Sequence, residues 1–139
     1  MRQRDPLDPL LSAALEPVLA DLDATVAVPL TIRDEPWSDH PGHVTAMIYT
    51  EDRCGSGISV LAKDSLADRV VSIADQLQDI VVEALWAAAR PTNWPACPHH
   101  PAGHPLRAER TEHGPAWVCP TNLAVVAPIG SLGARSCEG

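Results

Sequence analysis

The chain of 139 residues holds no phenylalanine, a single lysine at Lys63, and no run of about 18 apolar residues. The missing run excludes a bilayer-spanning helix and predicts that the chain has no membrane partner. Nine arginines accompany the one lysine, while alanine and proline are plentiful, a bias expected of a GC-rich genome that speaks of origin rather than activity. Positive charge is scarce as well: Lys and Arg number 10 against 18 Asp and Glu, for a formal net charge of −8. Phosphate backbones are bound by Lys and Arg that neutralise them, so this balance predicts no nucleic-acid partner. Near the start, Asp8, Glu16 and Asp21 break up the apolar stretch that follows Arg2 and Arg4, and no small-residue cleavage site comes after it. The expectation is a chain without a secretion signal that stays in the cytoplasm.

Catalytic signatures are missing too. No H-E-x-x-H, no G-x-S-x-G elbow and no H-x-E…P-C-x-x-C deaminase pattern occurs. Gly55-Ser-Gly57 is followed by neither Lys-Ser/Thr nor a helix start, so it reads as hairpin turn chemistry rather than a phosphate loop.

What is present falls into two compositional parts. Residues 1–90 carry 15 acids against 7 bases, whereas residues 91–139 carry 3 of each, so the whole net charge belongs to the first part. We read 1–90 as an acidic α+β domain and 91–139 as a proline-rich module ending in a frayed tail over 130–139. Asp8-Pro9 is a helix-opening pair, Asp8 as N-cap and Pro9 at the first helical position, followed by an apolar stripe from Leu10 to Leu22. Pro17 removes a backbone donor and predicts a kink or restart. From Val26 the period changes to two through Val28, Leu30 and Ile32, a strand pattern in which Pro29 argues for an edge or a bulge. Val44–Thr50 and Ile58–Ala62 complete a three-stranded antiparallel meander. Ser65-Leu-Ala-Asp68 resembles a capping box, and the helix it opens should run about 25 residues to just before Pro91. Its apolar positions form a stripe broader than a coiled-coil seam. Packing against the sheet accounts for most of it, and any overhang predicts a homodimer through helix 65–90.

Eight prolines in the 49 residues from Pro91 onward preclude long regular elements, so this loop-rich segment needs something other than a large core to hold it. A metal would serve. Clustered thiols and imidazoles in a reducing compartment usually signal one, and they occur in Trp94-Pro-Ala-Cys97-Pro-His-His100-Pro-Ala-Gly-His104-Pro and Trp117-Val-Cys119-Pro. Zinc takes four such ligands in a tetrahedron, commonly one pair on a tight turn and the rest from a distant segment. Cys97-x2-His100 has the turn spacing and Cys119 ends a second hairpin, but no Cys or His follows Cys119 closely. His104 is the economical fourth ligand, giving C-x2-H-x3-H-x14-C, with His99, His113 and the remote Cys137 as substitutes. The opposing reading is of loop histidines with two buried thiols or a disulfide. Trp94 and Trp117 bracket the site and should pack over it, or else form an exposed docking surface.

The run of C-P-x-H-P, H-P-L and W-x-C-P resembles the C-terminal motif of small uncharacterised actinobacterial proteins, and its layout is similar to a degenerate zinc ribbon. The resemblance covers about 40 residues and implies a Zn2+ site without implying an activity.

Elsewhere, His40 and His43 flank a Pro-Gly turn close enough to share a metal or act as acid and base, with Cys54 at a strand end where it could join them. Most such loops are merely solvated. The fold expected is therefore α+β: helix, three-stranded antiparallel meander, long helix, and a C-terminal loop-rich zinc module. The function expected is a non-catalytic, zinc-stabilised interaction or accessory protein with a protein partner. One alternative is a small zinc-dependent hydrolase with an open site at Cys97, His100 and Cys119, for which Glu109 and Glu112 are the nearest carboxylates. The other is an acidic regulator that sequesters a basic partner.

Overall fold

In the computed structural model, described for residues 3–133, local sequence signals set the two helices. Helix α1 spans Pro9–Thr25 with Asp8 as N-cap, its carboxylate accepting from Leu10 N at 2.9 Å. It runs unbroken through Pro17 and buries Leu11, Ala14, Leu15, Val18 and Leu19. Helix α2 spans Leu66–Ala87, where Ser65 Oγ accepts from Asp68 N at 3.1 Å. The Asp68 carboxylate, the other member of the expected capping box, pairs with Arg110 at 2.7 Å. Val70, Ile73, Leu77, Ile80, Val81 and Leu85 are all buried, and α2 touches α1, β4, β7 and β8, so its stripe is covered within the chain.

The sheet against the helices is built of β1 (Gln3–Arg4), β2 (Thr31–Arg33), β3 (His43–Tyr49) and β4 (Gly55–Leu61), in that order. The pairs β2–β3 and β3–β4 are antiparallel, as the meander requires. Strand β1 adds a fourth, parallel neighbour to β2 that the sequence analysis did not anticipate. Two residues are too few to show a period. The alternation from Val26 survives as alternating burial, but only Thr31–Arg33 pair, so the expected strand is shorter. Gln76 reaches the β4 edge, accepting from Ser59 N at 3.0 Å and donating to Ser59 O at 2.8 Å, and so occupies one link of an otherwise open edge.

Beyond α2 the chain is not a plain loop. It forms a hairpin of β5 (Ala96–Cys97) and β6 (His100–Pro105), then a meander of β7 (Arg107–Thr111), β8 (Gly114–Val118) and β9 (Val125–Pro128). The prolines are tolerated because the strands are short and Pro98 lies in a turn, Pro105 and Pro128 at strand ends. One continuous core joins Leu11, Leu15, Ile48 and Leu77 to Trp94, Cys97, Trp117, Cys119 and Ala127, so both compositional parts contribute to it. The segment expected to fray starts well ordered: Gly130 N and Leu132 N donate to Asp21 at 2.7 and 2.9 Å, and Leu132 is buried. Residues 134–139, Cys137 among them, lie outside the described residues. Among the described residues no helix is long and apolar enough to cross a membrane.

Candidate metal centre

Two tryptophans place the two cysteines. Trp94 Nε1 donates to Thr25 Oγ1 at 2.8 Å, and Trp117 Nε1 donates to the buried Asp21 carboxylate at 2.7 Å. Both indoles therefore hang from the last turns of α1, and they meet edge to face with ring centroids 5.8 Å apart. They are buried, as the core-packing expectation requires, but in the main core rather than a separate small one. From α2, Gln78 Nε2 donates to Trp94 O at 3.1 Å and Leu106 O at 2.7 Å, clasping the strands on either side of the β5–β6 hairpin.

Each tryptophan is followed within three residues by a Cys-Pro turn. In the first, Cys97 ends β5 and pairs in register with His100 at the start of β6. In the second, Cys119 follows β8 in a turn closed by Leu123 N donating to Cys119 O at 2.8 Å. The turns converge. Cys97 Sγ and Cys119 Sγ each lie 3.6 Å from His100 Nδ1, and the three side chains offer ligand atoms within 4.8 Å of one another, close enough to hold a metal ion. Both cysteines are buried and free.

The Cys119 thiol is held below its usual range, chiefly because Asn122 N–H points at it. Thr121 N–H and the side chains of Cys97 and Thr121 add to this, against the opposing effect of burial. Amides aimed at sulfur stabilise the thiolate, the form that ligates metals.

His104 is drawn back toward this centre because β6 bulges: Ala96 pairs with Pro105 while Cys97 pairs with His100. Its ring lies 5.1 Å from that of His100, and its Nε2 lies 2.6 Å from Thr121 Oγ1. It thus stands beside the three-residue cluster, with its nitrogen turned to Thr121. His99 is exposed in the hairpin turn. His113 is exposed beside Glu112 in the β7–β8 turn, at the opposite end of that hairpin from Cys119.

The other constellation does not assemble. His40 and His43 face each other with centroids 5.8 Å apart, but Cys54 lies past the far end of β3, about 20 Å along the strand. The pairing of Tyr49 with Gly55 fixes that separation. Cys54 is exposed, and its thiol is pushed up by a hydrogen bond to Asp52 and by that carboxylate's charge.

The sequence analysis missed the supporting residues Asp21, Thr25, Gln78, Thr121 and Asn122. Asn122 left no signal in the sequence, since it acts through its backbone N–H, which any residue but proline supplies, while its side chain accepts from Ala124 N at 2.9 Å. The chain matches no family model, no curated protein and no solved structure.

Proposed function

We propose that the chain is a non-catalytic interaction or accessory protein of the cytoplasm, stabilised by Zn2+ held by Cys97, His100, His104 and Cys119. One observation carries the metal: the two S···N separations of 3.6 Å around His100. With Zn–S near 2.3 Å and Zn–N near 2.05 Å, a tetrahedral zinc requires an S···N edge of about 3.6 Å. Thiolate and imidazole donors together suit zinc over the hard, oxygen-seeking cations. Two thiolates and two neutral imidazoles also balance the ion's charge, as befits a site set in a core.

His104 supplies the fourth ligand once its ring turns from Thr121 toward the cluster. Two Cys-Pro turns, one on a hairpin and one on a three-stranded meander, support the likeness to a zinc ribbon. The hydrolase alternative leaves the fourth position to water and needs a carboxylate base beside it. Glu109 instead pairs with Arg107 at 3.1 Å, and Glu112 is exposed in the β7–β8 turn beside His113. Structure, not turnover, is the better account.

The test is elemental analysis of the purified chain, paired with thermal melting before and after chelation. We expect about one zinc per chain, loss of most of it in Cys119→Ser, and a lower melting temperature without metal, since a structural site contributes folding energy. A metal-free chain that is fully ordered, or a Cys97–Cys119 disulfide found by mass spectrometry, overturns the proposal. If chelation leaves the melt unchanged yet abolishes turnover of an ester or amide substrate, the hydrolase replaces it.

A further inference from the structure

Strand β4 closes the sheet on one side and has no strand beyond it. Thr50 N donates to Cys54 O and Ala62 N to Gly42 O, which fixes the residues whose main chain bonds to the β3 side of the hairpin. By that alternation the main-chain groups of Gly55, Gly57 and Ser59 point away from β3. At Ser59 the Gln76 amide makes both bonds that a neighbouring strand would make, and Ser72 Oγ holds that amide at 3.0 Å. Among the described residues nothing does the same for Gly55 and Gly57, and both are exposed. We propose that this stretch of β4 is the docking surface of the chain, and that its occupant is a short extended segment of a partner protein, added to the sheet as a further strand, with aliphatic side chains at alternate positions.

Three observations set the occupant. Gly55 and Gly57 present N–H donors and C=O acceptors at strand spacing, the complement of another extended backbone. Beside them a cleft of about 500 Å³ separates the strand from α2, with Cys54 and Ser56 on one wall and Ile80, Val82, Glu83 and Trp86 on the other. A segment paired with β4 would turn every second side chain into that cleft. Two exposed indoles flank the same edge on opposite faces. Trp86, 78% exposed, stands in the cleft, and Trp37, 48% exposed, lays its ring over Gly57 on the other side of the sheet. Tryptophan is the side chain that most often anchors a binding surface. Gln76 then limits the length, because pairing must stop at Ser59. A segment that ends or turns away there fits, whereas a long ribbon between two copies of β4 would meet Gln76 twice.

This names the partner surface of the interaction protein proposed above and does not depend on the metal. The test adds a Thr-Val-Thr-Val-Thr-Val peptide to the isotope-labelled full chain and follows it by NMR. Two further peptides carry N-methyl groups on either the Thr or the Val amides, which removes the donors from one edge of the strand and leaves the side chains alone. We expect the unmodified peptide to bind and to slow hydrogen exchange at Gly55 and Gly57. Only one of the two methylated peptides should bind, because only one edge of the added strand faces β4. Trp86→Ala should weaken binding about fivefold or more, while Leu66→Ala, exposed at the far end of α2, should leave the affinity unaltered.

Alike behaviour of the two methylated peptides, unaltered affinity in Trp86→Ala, an equal loss in Leu66→Ala, or no binding at about 1 mM overturns the proposal. A doubling of mass in light scattering that Trp86→Ala abolishes overturns it in favour of a second copy. Zinc is measured in the same samples, so a zinc-loaded, ordered chain that ignores the peptide defeats this proposal and leaves the reading above standing. A zinc-free, ordered chain that binds it defeats only the metal reading.

Discussion

Asp21 gives the sharpest test of how the fold holds the candidate metal centre. It is fully buried and its carboxylate accepts three hydrogen bonds: from Trp117 Nε1 at 2.7 Å, Gly130 N at 2.7 Å and Leu132 N at 2.9 Å. Asp21→Ala would strand all three donors in the core. Hydrogen bonds to a charged partner contribute about 1.5–3 kcal/mol each, but removing the carboxylate also recovers its desolvation cost. Each buried donor left without its acceptor costs about 1–3 kcal/mol, and set against the recovered desolvation we expect a net loss of about 3–5 kcal/mol. It is a large share of the roughly 5–15 kcal/mol that stabilises a domain. The melting temperature should therefore fall by about 10–20 °C.

Asp21→Asn keeps one acceptor but turns an amide toward a donor, and should lose about half as much. Urea unfolding followed by tryptophan fluorescence and by circular dichroism measures both variants. Because Trp117 stands two residues before Cys119, Asp21→Ala should also release zinc to a chelator faster than the parent chain. A loss below about 1 kcal/mol, or unaltered zinc release despite the full loss, refutes the reasoning.

Three further outcomes are expected. His104→Ala should retain a thiolate-to-metal charge-transfer band when cobalt replaces zinc, with metal affinity reduced at least about tenfold; full affinity would remove His104 from the ligand set. Asp52 raises the Cys54 thiol pKa, so less thiolate is present near pH 8 than in a free cysteine. Asp52→Asn should shift the pH profile of Cys54 alkylation, mapped by mass spectrometry, to lower pH, and an unshifted profile would refute the assignment. At Gly57 an added Cβ would lie 2.6–2.8 Å from the Trp37 ring, so Gly57→Ala should displace Trp37 and break its hydrogen bond to Ile58 O, costing about 1 kcal/mol in urea unfolding.

The sequence by itself determined what depends on near neighbours in the chain. Asp8-Pro9 and Ser65 opened the helices because a cap is made within three residues. The stripe from Val70 to Leu85 and the alternation from Val26 to Ile32 declared which faces are buried, because period alone decides that. Cys97, His100 and Cys119 were legible from residue type and turn spacing. Tertiary structure decided what depends on distance through space. The two-residue β1 gains its identity only from β2, and the short proline-bearing strands after Pro91 exist only because they pair with one another and pack on α2. Cys54 was separated from His43 by the register of one hairpin. Asp21, an acidic residue on an apolar helix, looked like a break in a stripe. Only when Trp117, Gly130 and Leu132 arrive from about 100 residues downstream, each donating an N–H to it, does a buried carboxylate become the stable choice there.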